Sequence, residues 1–231
     1  GGFMRRFAVI GLGRFGYSVA KTLIEKGCEV LAIDNDAEKV KDVSDFVTHA
    51  VEMDATDEEA LRHAGVNYVD VAVVSIGENI EASILIVMTL KEMGVKEVLA
   101  KAVTSIHGNF LRNIGVSKVI FPERDMAIKV AASLAAPNIL EQIELSPEYS
   151  IIETSVPKGL AGKTIKECDI KDRFNVNVIA IRKRVPIITE SGEPDFIEEW
   201  NVSPSMDDMI EEGDVLVMIG NNEDLEKLKR G

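Results

Sequence analysis

The residues with the most chemistry in their types and spacing are Gly11-Leu12-Gly13-Arg14-Phe15-Gly16. They follow the apolar run Arg6 to Ile10 and open a stretch of helical periodicity. A G-x-G-x-x-G is weak by itself, but between a strand and a helix it has a mechanism. Gly11 permits the tight turn, Gly13 lets backbone approach a phosphate, and Gly16 lets helix and strand pack closely. The helix N-terminus then presents free N–H groups and a partial positive charge to that phosphate.

Arg14 adds to this reading. A cation at a helix start opposes the helix dipole. A bound phosphate would offset that cost, and a guanidinium can hold one through two N–H groups. The plainer alternative is a solvated surface arginine. Asp34 closes the next apolar run, in the window about 20 residues on where a carboxylate accepts from ribose hydroxyls. The same charge repels a 2′-phosphate, and no arginine follows it, so NADP is disfavoured. Asp36 reads as the cap of the following helix. Asp54, in Met53-Asp54-Ala55-Thr56, either lies near an adenine or is a turn residue ahead of Asp57. Ser75-Ile76-Gly77-Glu78 ends the fourth strand, at the carboxyl edge where ligands bind in such sheets.

Catalytic groups are the missing part. Hydride transfer needs an acid–base group and a substrate anchor. His49, His63 and His107 are scattered, and no Ser–His–Asp, HExxH or Walker pattern occurs. The reading is therefore a protein that binds a nucleotide without turning it over; an NAD-dependent oxidoreductase is the alternative.

The elements that must position these groups alternate. Expected strands cover Arg6–Ile10, Glu29–Ile33, Val47–Val51, Val71–Ser75, Glu97–Lys101 and Lys118–Phe121. Several are continuous apolar runs, as in a parallel sheet buried on both faces. Phe15, Val19 and Leu23 form one helical stripe that ends at Gly27. Asp57–Ala64 reads as a short helix, and Asn79–Met93 as one that is apolar nearly all round, its second face turned to a neighbouring subunit or to the C-terminal domain. The pattern is an α/β, Rossmann-like doubly wound parallel sheet. A helix from Glu123 to Leu134, bounded by Pro122 and Pro137, reads as a connector, and Asn138–Pro147 as a second one. Beyond Ser150 the character is that of a small α+β subdomain: strands at Ile151–Val156, Asn177–Arg182, Pro186–Thr189 and Gly213–Ile219, a turn and short helix over Gly159–Asp172, a loop tip at Ser191-Gly192-Glu193-Pro194, and a closing helix Asn221–Lys229.

Composition excludes several classes. The 231 residues carry a formal net charge of −13, so a nucleic-acid partner, which needs a basic face, is disfavoured. Two isolated cysteines, Cys28 and Cys168, fit a reducing compartment and no metal spacing. The longest apolar stretch, Ile84 to Leu90, is far short of the roughly 20 residues of a spanning helix. Gly1-Gly2-Phe3 reads as a remnant ahead of a start at Met4.

Four segments together resemble the RCK (KTN) family, the regulators of potassium conductance. They are Arg6 to Gly16, Met53 to Thr56, Val119-Ile120-Phe121-Pro122-Glu123-Arg124-Asp125-Met126-Ala127, and Ile210 to Gly220. The resemblance spans nearly the whole chain and implies a Rossmann nucleotide-binding domain with crossover helix over residues 4–137 and a TrkA-C subdomain over 148–231. It is strongest to KtrA-like members and more distant to TrkA-like ones. It implies a cytosolic regulatory subunit, assembled as homodimers into an octameric ring below a KtrB/TrkH-like membrane potassium-transporting subunit. The apolar helix around Ile84 and the helix from Glu123 would make the ring contacts. The implied cofactor-binding residues are Gly11, Gly13, Arg14, Phe15, Gly16, Asp34, Asp54, Ala55 and Glu78. The ligand is ATP/ADP in KtrA-like members and NAD(H) in TrkA-like ones; Arg14 matches the position that reaches a terminal phosphate and favours ATP/ADP. Glu123 matches a carboxylate that helps bind a divalent cation (Mg or Ca). Some relatives bind cyclic di-AMP, toward which Ile165, Ile170, Asn175 and Pro186 are candidates.

Overall fold

The computed structural model describes residues 5–135, 139–157, 159–188 and 193–230, without the side chains of 229 and 230. The expected start at Met4, the helix end at Pro137, the strand end at Thr189 and the loop tip at Ser191-Gly192 lie outside these residues. The chain divides into two compact units between Met126 and Ala127, inside the helix that follows Phe121.

The first unit runs β1 (Arg6–Ile10), α1 (Arg14–Glu25), β2 (Glu29–Asp34), α2 (Ala37–Ser44), β3 (His49–Glu52), α3 (Glu58–His63), a 3-10 turn (Val66–Tyr68), β4 (Val71–Val74), α4 (Ile80–Glu92), β5 (Glu97–Lys101), α5 (Ser105–Asn113), β6 (Lys118–Ile120) and α6 (Pro122–Ala135). The strands form one parallel sheet in the order β3-β2-β1-β4-β5-β6. The direction of winding reverses between β1 and β4, and the crevice at such a switch point is where doubly wound sheets hold ligands.

Alternate residues of each strand feed opposite cores. Ala8 and Ile10 join Leu31, Ile33, Ile86 and Leu90 on one side, while Val9 joins Val30, Ala32, Ala20 and Val43 on the other. That two-sided burial is why the strands read as unbroken apolar runs. Val19 and Leu23 pack into the second core as expected, whereas Phe15 is half-buried and belongs to neither. β3 starts two residues later than expected, because Phe46 and Val47 donate back to the Val43 carbonyl and close a turn after α2. α4 buries Ile86, Val87 and Leu90 and leaves Leu85 and Met88 nearly half exposed, so among the described residues of this unit one of its apolar faces is covered. α6 buries none of its described residues, and Met126, Ile128, Val130 and Leu134 are all exposed.

The second unit contains β7 (Ile139–Glu144), β8 (Tyr149–Ser155), β9 (Lys163–Thr164), α7 (Ile165–Cys168), α8 (Ile170–Phe174), β10 (Asn177–Ile188), β11 (Pro194–Asn201), β12 (Met209–Ile210), β13 (Val215–Asn221) and α9 (Asn222–Arg230). Five of these strands form an antiparallel sheet in the order β11-β10-β13-β8-β7. Ile152, Ile181, Leu216 and Met218 share its core with Ile170, Leu225 and Leu228 from α8 and α9.

Two expectations are corrected here. The stretch from Asn138, expected as a connector, supplies β7, an edge strand paired with β8 and exposed beyond Ile139. The two short strands expected at Asn177–Arg182 and Pro186–Thr189 are one strand, β10, with a bulge between Val178 and Ala180. Pro186 fits within it because β13 pairs only as far as Arg182, so at 186 the strand has a single ladder partner, β11. β11, absent from the expected elements, is exposed at every position before Asn201.

Candidate functional site

The glycine loop is held from below by Asp34. Its Oδ2 accepts the Leu12 N–H at 2.7 Å and its Oδ1 accepts the Asp36 N–H at 3.0 Å. Asp34 is only 8% exposed. Each oxygen keeps a lone pair toward a further donor. The residue expected to meet a ribose is thus also the residue that fixes the turn, a role that spacing alone does not reveal.

Gly11 and Gly16 are steric necessities. Gly11 has φ +93°, and a Cβ there would stand 2.7 Å from the Ser75 carbonyl oxygen. A Cβ on Gly16 would stand 1.9 Å from the Gly11 carbonyl oxygen. Gly13 is different: it is exposed, and nothing lies within 4 Å of the place its Cβ would take. Open space above backbone is what a phosphate needs there.

The start of α1 is the informative feature. Asp36, Asp57, Asn79 and Thr104 each cap their own helix, accepting from Glu38, Ala60, Ala82 and His107 N–H groups respectively. At α1 the N-cap is Gly13, which has no side chain to accept anything. The first-turn donors of α1 are therefore left for a ligand or water. Arg14 sits exposed at this end, and its guanidinium makes no ion pair among the described residues. Phe15 follows, half-buried.

The other expected residues lie along the same sheet edge. Asp54 is exposed, and its Oδ1 accepts both the backbone N–H and the hydroxyl of Thr56, at 2.9 and 2.7 Å. Those bonds, the backbone one first, hold its carboxyl below the usual range. The turn reading of Asp54 is thus realised. Ala55 beside it is buried, and Glu78 is exposed on the turn from β4 to α4. Glu123 opens α6, 77% exposed, with Oε1 3.4 Å from Lys101 Nζ. Its own backbone N–H, then the charge and hydrogen bond of Lys101, then more weakly Arg14, hold its carboxyl below the usual range. Arg14, Lys101 and Glu123 therefore share one electrostatic neighbourhood. Lys101 was missed in the sequence because a lysine at a strand end reads as a solvated boundary residue.

Among the described residues no group of three or more histidine, cysteine, aspartate or glutamate side chains could hold a metal ion. Magnesium is commonly bound through one or two carboxylates with substrate phosphates completing the shell. Glu123 fits a cation shared with a phosphate and does not fit a metal held by this chain alone. The histidines do not converge: His49 and His63 are exposed, and His107 is buried in α5.

In the second unit Ile165 and Ile170 are core residues, 8% and 2% exposed, which leaves little of either for a ligand. Asn175 instead lines an open cavity of about 490 Å³ with Tyr149, Asn177, Asn221 and Asp224, and donates to Asp224 at 2.9 Å. Pro186 lies on β10 and does not line that cavity.

The TrkA-N domain family matches residues 7–122 and the TrkA-C domain family residues 151–230. The chain is 38% identical over 226 residues to Ktr system potassium uptake protein C of Bacillus subtilis (strain 168), covering 98% of this chain and 96% of the relative. It is 37% identical over 225 residues to Ktr system potassium uptake protein A of the same organism, covering 97% and 96%. The solved structure described as the GsuK channel bound to NAD aligns with 98% of this chain and 39% of its own, with TM-score 0.62 and 17% identity, a likeness of fold.

Proposed function

This chain belongs to the family that joins a TrkA-N to a TrkA-C domain, and from that premise we propose that it is a nucleotide-sensing regulatory subunit of a potassium uptake system. The observation that carries the nucleotide half of the reading is the α1 end. It has four properties at once: a glycine cap, open space over Gly13, an Arg14 with no ion pair among the described residues, and a buried carboxylate under the turn. The potassium half rests on the relatives.

In this reading Gly11, Gly13 and Gly16 shape the turn, the first-turn N–H groups of α1 and Arg14 meet phosphate, and the spare lone pairs of Asp34 meet ribose. Asp54, Ala55 and Glu78 line the nucleoside side, and Phe15 flanks the loop. Glu123 is the one protein carboxylate toward a divalent cation shared with the phosphates. ATP/ADP is preferred over NAD(H), because Arg14 offers two N–H groups to a terminal phosphate. The exposed apolar faces of α4 and α6 support self-association, with a dimer-built octameric ring as the proposed form. No helix among the described residues is long and apolar enough to cross a membrane. The subunit is proposed to act at the cytoplasmic side of a membrane potassium-transporting partner.

The action is coupling, not turnover. A nucleotide shifts two ring shapes only by its difference in affinity for them. A contact made to one nucleotide and not the other supplies roughly 1–3 kcal/mol per site. Thermal-shift titration with ATP, ADP, NAD and NADH tests this: saturating ligand at about 100 Kd adds about 2.7 kcal/mol. ATP and ADP should stabilise the chain, Arg14→Ala should erase the preference between them, and the ligand should be recovered unchanged. A chain that ignores all four, or that consumes one of them, overturns the reading.

A further inference from the structure

We propose that His107 is a proton-operated release for α5: when its buried imidazole takes up a proton, the first turn of α5 opens, and copies of the chain held together through α4 and α5 come apart. The opening stands on packing within the first unit. The separation of copies rests on the self-association reading above.

His107 is the third residue of α5, and its backbone N–H donates to the capping Thr104 hydroxyl at 3.1 Å. The residue is 1% exposed, and neither ring nitrogen has a hydrogen-bond partner among the described residues. Ser83, in the first turn of the adjoining α4, is likewise fully buried, with its hydroxyl unpartnered among those residues. His49 and His63 differ: both are exposed, and Nδ1 of His63 lies 2.8 Å from the Glu59 carbonyl oxygen. A buried polar ring without partners is costly to keep, and costlier once charged.

A proton has nothing to settle against there. The cation would sit at the positive end of the α5 dipole. The charged groups on the elements around α5 are Glu81, Lys91 and Glu92 on α4, Glu97 and Lys101 on β5, Lys118 on β6, and Glu123, Arg124 and Asp125 at the start of α6. Neither they nor Arg112 on α5 itself moves the titration of His107; burial alone does, downward. Nor can the turn shift sideways to make room. The next residue, Gly108, is pressed to Phe121 so closely that a Cβ on it would stand 2.5 Å from the ring's Cζ. A close-packed interior does not yield to admit solvent around one charge. The imidazolium reaches water only if the turn that carries it lifts.

What lifts also carries surface. Ile106 and Phe110 on α5 are 71% and 55% exposed, and α5 lies against α4 with its exposed Leu85 and Met88. One turn thus bears an outward apolar side chain and the inward imidazole. Bulk charge works the other way. The chain carries −13 at pH 7 with a pI of about 4.8, so acid removes self-repulsion and favours association. A release through His107 opposes that trend, which makes the two separable.

The experiment follows the full chain, wild type and H107Q, by amide hydrogen exchange and sedimentation velocity between about one pH unit above and about one below the ordinary histidine value of about 6.5. The closed turn holds its imidazole neutral and the open one titrates normally, so the closed form is favoured fully above that value and loses ground as pH falls. Protection of the α5 amides in wild type should therefore drop several-fold, up to about tenfold, while the β1 and β4 amides keep theirs. In H107Q the α5 protection should stay level. Wild type should sediment as a smaller species at the lower pH, and H107Q should not. Protection of α5 that follows β4 at every pH overturns the proposal, and so does wild-type assembly that holds or grows in acid while α5 opens. If H107Q does not fold, wild-type exchange decides. Failure of the self-association reading looks different: wild type is then a monomer at the higher pH too, and the opening of α5 still stands or falls on its own exchange.

Discussion

Asp34→Ala separates what the acid does for the fold from what it does for a ligand. The substitution removes both acceptors under the glycine loop. The Leu12 N–H, on a residue 4% exposed, loses a charged partner at 2.7 Å, and the Asp36 N–H loses one at 3.0 Å. A bond to a charged group contributes about 1.5–3 kcal/mol, and a half-buried second one about 0.5–1, so the expected cost is roughly 2–4 kcal/mol before any ligand is added. For a unit of this size that is on the order of 3–4 °C per kcal/mol, or roughly 6–16 °C in midpoint. Asp34→Asn keeps one acceptor oxygen and should cost about half as much. The assay is thermal unfolding without ligand, followed by far-UV circular dichroism, with the first unit's transition as the readout. An Asp34→Ala midpoint within about 2 °C of wild type, well below the 6 °C floor, would show that the loop does not depend on this carboxylate.

Further outcomes follow from other contacts. Gly16→Ala places a methyl 1.9 Å from the Gly11 carbonyl oxygen, so the loop or α1 must move; a loss of about 3 kcal/mol or more and of nucleotide binding is expected in denaturant titration. Gly13→Ala meets nothing and should leave stability within about 1 kcal/mol while weakening phosphate ligands, as read by comparing ATP with adenosine. His107 is 1% exposed, neither ring nitrogen has a hydrogen-bond partner among the described residues, and burial lowers its pKa. Its stabilising neutral form is therefore complete above the unfolded value of about 6.5 and is lost as pH falls through the folded value; wild type should lose up to about 1.4 kcal/mol per pH unit relative to His107→Gln below pH 6.5, and parallel stability curves would exclude this. Leu85→Asp with Met88→Asp should leave the monomer folded and reduce its assembly in sedimentation, since both side chains are nearly half exposed on α4.

The first unit was legible because its signals are redundant. Val9 and Val30 on one face and Ala8, Ile10 and Leu31 on the other make strands that no helix period fits, and Gly11 and Gly16 sit where only glycine can. The capping role of Asp36 was legible for the same reason: an acid directly before a helical stretch has one dominant use. The structural half of Asp34 was not, since a bond across the turn to Leu12 depends on how β1 and β2 pair. The second unit hid more. β7 and β11 are edge strands exposed on both sides, so neither carries the alternation that marks a half-buried strand. Pro186 divided β10 in the sequence, although in the sheet it costs no bond to β13.

That open edge has a consequence for handling the protein. β11 is hydrogen-bonded to β10 along one side and, among the described residues, leaves its outward-facing backbone groups open on the other, with Phe196, Ile197 and Trp200 exposed along it, the kind of rim on which chains stack. Asp195, Glu198 and Glu199 lie among those apolar groups, and like charges brought face to face keep two such rims apart. Glu198 pairs with Arg182 at 2.6 Å, whereas Asp195 and Glu199 make no ion pair among the described residues, so these two act as the sentries. Asp195→Asn with Glu199→Gln removes the guard, and turbidity should then appear at a protein concentration at which wild type stays clear.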